Sequence, residues 1–159
     1  GIRIMSELRT NRIIPRDGLP SGANGGGIIQ IVQSQFPSAL DTSTQNTWIS
    51  AHTISITPSS TSNKVLFMWN GEIYGGGTDS LRVSGRVRRG SSPTIWQNTD
   101  IYFRESGGQL KAVCPTIKIL DSPATTSSVT YNLEMQITSG DEFFMDEDAN
   151  FLTLMEVCN

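Results

Sequence analysis

The chain has 159 residues, with 12 Lys+Arg against 15 Asp+Glu, one His, two Cys and a charged fraction of only 17%. Its length fits one domain, and its net charge of −3 excludes a strongly basic nucleic-acid binder. Its polarity comes instead from 19 Ser, 16 Thr and 15 Gly, which are poor helix formers, so the composition favours short strands joined by turns. No apolar run is long enough for a membrane helix, and we expect neither a signal peptide nor a disulfide-rich scaffold.

Residues 1–27 differ in pattern from the rest and are predicted to form an extended N-terminal arm ending in a Gly-rich joint. Five aliphatic residues, or three if Met5 is the natural start, leave two hypotheses open: a floppy terminus, or an arm that docks on neighbouring chains. The candidate docking residues of this arm are Leu8, Ile13, Ile14 and Pro15. Residues 28–159 are predicted to form one β-sandwich head.

From Ile28 onward the hydrophobic pattern has a period of two. The longest example runs from Val129 to Thr138, where apolar and polar residues alternate without a break. Similar alternation occurs in 53–57 and 81–88, and further strands are predicted near 28–34, 64–74, 94–104, 109–120, 142–145 and 150–157. This spacing, with Gly, Pro, Asn and Ser between the strands, is typical of an antiparallel sandwich or barrel.

Two predicted strands are apolar on both faces, namely 65–69 and 151–157. A sheet strand in a lone sandwich normally shows one face to water, so these strands need a second cover. One hypothesis is a local cover by the Gly-rich loops or the arm, and the other is a subunit interface. The candidate subunit-interface residues are Val65, Phe67, Trp69, Phe151, Leu152, Leu154 and Met155.

A search for catalytic and cofactor sites gives little. The single histidine, His52, has no Gly-x-Ser-x-Gly elbow to act with and too few other ligands for a usual zinc site, so we expect no enzyme and no cofactor. The best metal candidates are Asp146, Asp148 and Asn150, whose spacing resembles the start of a calcium loop, but Phe151 replaces the turn glycine. A solvated acidic turn is the alternative, and a glycosidase carboxylate pair has no further support.

Two groups of residues are candidates for binding a glycan. Arg82, Arg86 and Arg88 form a basic ridge that suits an anionic glycan, an acidic neighbour or simply a wet sheet face. The acidic neighbour is considered because residues 121–159 carry eight acidic residues and no basic one. The second group combines aromatic, amide and carboxyl groups suited to sugars, although Trp96 also fits a packed core: Trp96, Asn98, Asp100 and Tyr102.

Three segments resemble small tail-fibre and receptor-binding structural proteins of bacteriophages: 8–15 with the Gly-rich joint and 27–33, then 54–66, and the terminal 151–157. The resemblance spans most of the chain and implies a homotrimer with a jelly-roll-like head of the tumour-necrosis-factor-like kind. It also implies an arm on the virion and a last strand near the threefold axis. No binding residue carries over from the family.

These observations predict a structural virion protein, a trimeric tail fibre whose head adheres weakly to a host-surface glycan or protein in many copies. We expect it in the virion, assembled in the host cytoplasm, with other virion proteins as partners, without nucleic acid and without membrane insertion. The alternatives are a capsid or baseplate decoration protein and a soluble lectin-like binding module.

Overall fold

A computed structural model describes residues 27–76, 80–104, 112–140 and 142–158, which form twelve strands and one short 3-10 helix at Glu147–Ala149. The strands are β1 (Ile28–Gln35), β2 (Leu40–Thr42), β3 (Ile49–Ile56), β4 (Lys64–Asn70), β5 (Ile73–Gly76), β6 (Leu81–Arg89), β7 (Thr94–Arg104), β8 (Ala112–Val113), β9 (Thr116–Asp121), β10 (Val129–Ser139), β11 (Glu142–Met145) and β12 (Phe151–Val157).

The strands form three four-stranded sheets. The first sheet has the order β1-β12-β4-β9, the second β3-β10-β6-β7 and the third, of short strands, β2-β11-β5-β8. Every strand pair is antiparallel. The first two sheets pack against each other, since β3 contacts β12 and β1 while β7 contacts β9. The predicted all-β fold, an antiparallel jelly-roll-like β-sandwich, is confirmed.

The core lies between these two sheets and follows the alternation read from the sequence. In β10 the side chains of Tyr131, Leu133, Met135 and Ile137 are fully buried, while Thr130 on the opposite face is exposed. The two doubly apolar strands, β4 and β12, are neighbours at the centre of the first sheet. Each therefore supplies one apolar face to the core and presents the other on the outside of the sandwich.

The predicted strand 64–74 is divided into β4 and β5 at Gly71. The side chain of Asn150 fills the space beside this glycine, because a Cβ built on Gly71 would lie 1.7 Å from the Asn150 Oδ1 atom. That oxygen accepts a hydrogen bond from Trp69 Nε1 at 3.1 Å, and the Asn150 Nδ2 group donates to the carbonyls of Asp146 and Glu72. The break thus gives a buried amide its partners.

The predicted strand 109–120 is also divided, with β8 ending at Val113 and β9 beginning at Thr116. Cys114 and Pro115 lie between them, and proline has no N–H group to donate to a neighbouring strand. Of the predicted arm, residues 1–27, only Gly27 lies in the described part of the chain, so the arm remains a prediction.

Candidate functional site

The outer face of the second sheet carries a polar network that we call the arginine surface: Trp48, Arg86, Arg88, Asn132 and Glu134. The network centres on Glu134, which pairs with Arg86 across neighbouring strands and with Arg88 at 3.6 Å. Asn132 Nδ2 donates to Glu134 Oε1 at 2.9 Å. The Arg86 guanidinium lies 4.2 Å from the centre of the Trp48 ring, in a cation–π contact.

Glu134 was predicted on the wet face of its strand, and it does lie on that face, but it is only 7% exposed. The two arginines and Asn132 cover it. Because Glu134 belongs to the acidic last quarter of the chain, an acidic partner of the basic ridge is present within the same molecule. Folding therefore neutralises part of the charge of the predicted ridge, because Arg86 and Arg88 share the one carboxylate of Glu134.

Arg89, at the end of β6, is neutralised by a second residue of the acidic stretch. Its guanidinium lies 3.3 Å from Asp121 and donates to the Ser122 carbonyl at 3.1 Å. The buried Tyr131 hydroxyl donates to the same Asp121 carboxylate at 2.8 Å, and burial together with this bond raises the pKa of Tyr131. Both arginine–carboxylate groups thus tie β10 and β9 to β6.

The glycan-contact candidates are not brought together. Arg82 is exposed on the same face as Arg86 and Arg88, but Trp96 pairs with Val87 on the inner face and packs against the core. An irregularity in β7 places Asn98, an exposed residue, opposite Gly85 and Tyr102 opposite Val83. The backbones of Asp100 and Tyr102 lie in β7, and their side chains are outside the described part.

Sequence reasoning missed the aromatic residue of this surface. Trp48 immediately precedes β3, and its contact with Arg86 depends on the alignment of β3, β10 and β6, which no local pattern reveals. The Trp48 ring offers a polar ligand an apolar surface, and the charged and amide groups beside it offer hydrogen bonds. The arginine surface, as defined by these five residues, contains no nucleophile beside a general base.

The outer face of the first sheet is different, and we call it the apolar face. One row crosses all four strands, because Ile31 pairs with Met155, Met155 with Leu66, and Leu66 with Leu120. Among the described residues the exposed large apolar side chains are four, all on the edge strands of this sheet: Ile28 (57%), Ile29 (48%), Ile31 (58%) and Leu120 (55%). Only Lys64 and Lys118 bring charge to the rows on either side.

The subunit-interface candidates divide between the two faces of this sheet. Five of them fill the core of the single chain and have no exposed surface: Val65, Phe67, Trp69, Leu152 and Leu154. Phe151 and Met155 are half-buried and point to the apolar face, paired with Gln35 and Ile31. The side chains available for an interface are therefore the alternate residues of these strands.

The metal candidates are not arranged as a cation site. Asp146 and Asp148 are exposed at the 3-10 helix, whereas the Asn150 side chain is fully buried and committed to Trp69 and the backbone. In the described residues no group of three or more His, Cys, Asp and Glu side chains could hold a metal ion. The turn contributes to the fold, because its Asn150 side chain hydrogen-bonds to Trp69 and to backbone carbonyls.

Glu156 is the most constrained carboxylate described. It has no exposed surface, yet it accepts hydrogen bonds from Asn63 Nδ2 at 2.6 Å, from the Ser59 backbone and hydroxyl at 2.7 and 2.8 Å, and from Gln30 Nε2 at 2.6 Å. Burial alone would raise the pKa of Glu156, but these donors outweigh it and lower the pKa to about 2. The carboxylate fastens the 57–63 turn and the edge strand β1 to the first sheet.

The histidine and the two cysteines are further side chains that could take part in catalysis or metal binding. His52 Nε2 lies 2.8 Å from Ser34 Oγ and its ring 4.9 Å from that of Phe36, and burial lowers its pKa. Cys114 and Cys158 form no disulfide. No described helix is long and apolar enough to cross a membrane.

Comparison with known proteins yields neighbours in structure only. No protein-family model and no curated protein matches the sequence. The chain is similar to the VP2 subviral particle of infectious bursal disease virus, with a TM-score of 0.50 and 10% identity over 79% of this chain and 32% of that one. It is likewise similar to the Gt strain of infectious bursal disease virus, with a TM-score of 0.50 and 10% identity over 96% of this chain and 37% of that one.

This chain thus spans about a third of the length of each of these neighbours. At 10% identity the likeness concerns the fold, and it agrees with the sandwich built above. Both neighbours are described as parts of a virus or of its particle.

Proposed function

We propose that this chain is a structural component of a virus particle. The observation that carries the proposal is the β-sandwich itself, because 79% of the chain is similar in fold to the VP2 subviral particle. The described residues add no catalytic or metal constellation that would favour an enzyme. The absence of an enzymatic role stays a prediction.

The two outer faces of the sandwich fit this role. A particle component needs a surface that contacts its neighbours and a surface that faces solvent. The apolar face has exposed Ile31 and Leu120, whereas the arginine surface is internally paired through Glu134. In an oligomer of many copies, the apolar face can contact neighbouring copies while the arginine surface faces solvent.

The finer proposal is a homotrimeric tail fibre whose head adheres to the host surface and whose N-terminal arm attaches to other virion proteins. Its support is the resemblance of 8–15, 54–66 and 151–157 to bacteriophage tail-fibre proteins. A shell or baseplate decoration protein is the second candidate, favoured by the fold shared with the subviral particle protein.

Co-purification tests the proposal. Particles of the virus that encodes this chain are banded on a density gradient and examined by mass spectrometry and immuno-electron microscopy. We expect the chain in the particle band at a constant copy number, with label at appendage tips for a fibre head and over the shell for a decoration protein. Presence in infected cells but not in particles would contradict the proposal.

Adhesion is tested separately, by binding of the purified chain to a glycan array and to host cells. The arginine surface is the expected contact, so Trp48→Ala should weaken binding, while Thr116→Ala on the first sheet should not. Equal binding by both variants would assign adhesion to another surface.

A further inference from the structure

The apolar face has the properties of a contact surface. A solvated outer sheet face normally alternates polar residues with the buried ones, as β10 does. Here the row Ile31, Met155, Leu66 and Leu120 is apolar across the whole width of the sheet, and its two end residues are 58% and 55% exposed. Contiguous exposed apolar surface of this kind marks an interaction site.

Its shape restricts the occupant. The face is the outside of a four-stranded sheet. Such a face is covered well by another sheet, with side chains of the two faces interdigitating at about 10 Å between sheets. A second copy of this chain supplies such a sheet, because its own first sheet presents the same apolar row.

The size agrees with that occupant. Four strands about 4.8 Å apart and about seven residues long outline a face of about 19 by 23 Å, or about 440 Å² per copy. Two facing copies cover about 900 Å² of flat outline, and the accessible area of standing side chains is larger. The pairing therefore approaches the roughly 1,200 Å² of the smaller stable interfaces.

The chemistry of the face also suits a second copy. The row beyond Met155 contains Gln33, Thr153 and Met68, and the next row contains Gln35 and Asn70. Amides and hydroxyls can donate and accept, so the same groups on two copies can hydrogen-bond to each other at the rim of the apolar contact. Lys64 and Lys118 lie in rows on opposite sides of the apolar row, which leaves the row itself uncharged.

We propose that the apolar face, centred on the row Ile31, Met155, Leu66 and Leu120, is the surface through which this chain packs against further copies of itself. The inference rests on the proposed function only in assuming that copies assemble. It differs from the sequence-based prediction in the side chains used, because the inner residues of β4 and β12 are consumed by the core.

Light scattering on the full-length purified chain tests the proposal. We expect at least twice 17.4 kDa, because two facing copies are the smallest assembly that covers this face. The double variant Ile31→Lys with Leu120→Lys places charges at both ends of the row and should give 17.4 kDa. Both sites are more than half exposed, so the fold should persist, and circular dichroism and thermal unfolding check it.

The matched control places the same charges on the edge strands of the other sheet, with Thr53→Lys on β3 and Thr94→Lys on β7. Both residues are exposed on its outer face, and this control should keep the wild-type mass. If the lysine variant fails to fold, Ile31→Ser with Leu120→Ser is used, and its dissociation constant should rise at least about tenfold.

A wild-type mass of 17.4 kDa would overturn the proposal and leave residues 1–26 of the same chain as the cover of the face. A folded lysine or serine variant that keeps the wild-type mass and affinity would also overturn it, as would equal dissociation of the control. Failure of this proposal can be distinguished from failure of the proposed function, since a chain can self-associate in solution and still be absent from particles.

Discussion

The two outer faces of the sandwich belong to sheets of equal strand number but have opposite chemistry. On the second sheet, Glu134 is covered by Arg86 and Arg88, and Arg86 is stacked on Trp48. On the first sheet, Ile31 and Leu120 stand more than half exposed at the ends of an apolar row. Among the described residues, one face pairs its charges within the chain and the other leaves apolar side chains exposed.

The difference shows that charge is unevenly distributed between the two faces. The second sheet carries Arg82, Arg86 and Arg88 on its outer face, and Arg86 and Arg88 share the carboxylate of Glu134. The first sheet has hardly any charges on its outer face, only Lys64 and Lys118. Polar outer faces protect a sandwich from association, and their absence on one side favours it.

The largest effect on the free energy of unfolding is expected in β12, where neighbouring residues point to opposite faces of the sheet. Leu154 has no exposed surface and Met155 beside it is half-buried on the apolar face. Leu154→Ala should lower the free energy of unfolding by about 3 to 4 kcal/mol through lost burial and a cavity. Met155→Ala should cost the dissociated chain about 1 kcal/mol. Urea unfolding at low protein concentration measures both, and equal costs would contradict the assignment of faces.

The next largest effect on the free energy of unfolding is expected at the Glu156 carboxylate, which holds β1 to the first sheet. This contribution should depend on pH. Folding lowers its pKa from 4.5 to about 2, so its contribution is complete above pH 4.5 and is lost as the pH falls towards 2. Glu156→Gln should cost about 3 kcal/mol at pH 7 and flatten the pH dependence of stability in that window.

Unfolding of wild type and Glu156→Gln between pH 2 and 7 checks this prediction. Glu147→Gln, in the exposed 3-10 helix, is the matched control and should keep the wild-type profile. If Glu156→Gln retains the wild-type slope below pH 4.5, the carboxylate does not fasten the turn as described.

A smaller effect is expected at the centre of the arginine surface. Glu134→Gln leaves Arg86 and Arg88 without their carboxylate, but both guanidinium groups reach solvent, so the expected cost is about 1 to 2 kcal/mol. The oligomeric mass should not change, because this face takes no part in the proposed contact. If Glu134→Gln dissociates in light scattering, the arginine surface and not the apolar face would be the contact between copies.

The smallest effect on the fold belongs to the apolar row itself. Ile31→Ser should change the free energy of unfolding of the dissociated chain by less than about 1 kcal/mol, since Ile31 is 58% exposed. A larger cost at low protein concentration would mean that Ile31 is covered within its own chain.

The alternation of β10 was enough to predict which of its side chains fill the core, because a period of two is a local property. The double apolarity of β4 and β12 also indicated a second cover. Which of their faces remains outside could not be predicted from the sequence, since it depends on the register with β1 and β9.

The candidate glycan residues illustrate the same limit. Trp96 shares its strand with the exposed Asn98, but the pairing of Trp96 with the buried Val87 directs its ring to the core. Trp48 joined the arginine surface only through contacts between segments distant in sequence. Likewise, the spacing of Asp146, Asp148 and Asn150 resembled a calcium loop, while burial of Asn150 beside Gly71 depends on the whole sheet.

Hydroxyl-radical footprinting of the full-length chain, at concentrations where it is assembled and where it is dissociated, tests the central claim most directly. Met155 on the apolar face and Trp48 on the arginine surface are both half-buried and both react readily with the radical. The account predicts that assembly lowers the labelling of Met155 several-fold and leaves that of Trp48 unchanged. Unchanged labelling of Met155, or protection of Trp48 in its place, would contradict it.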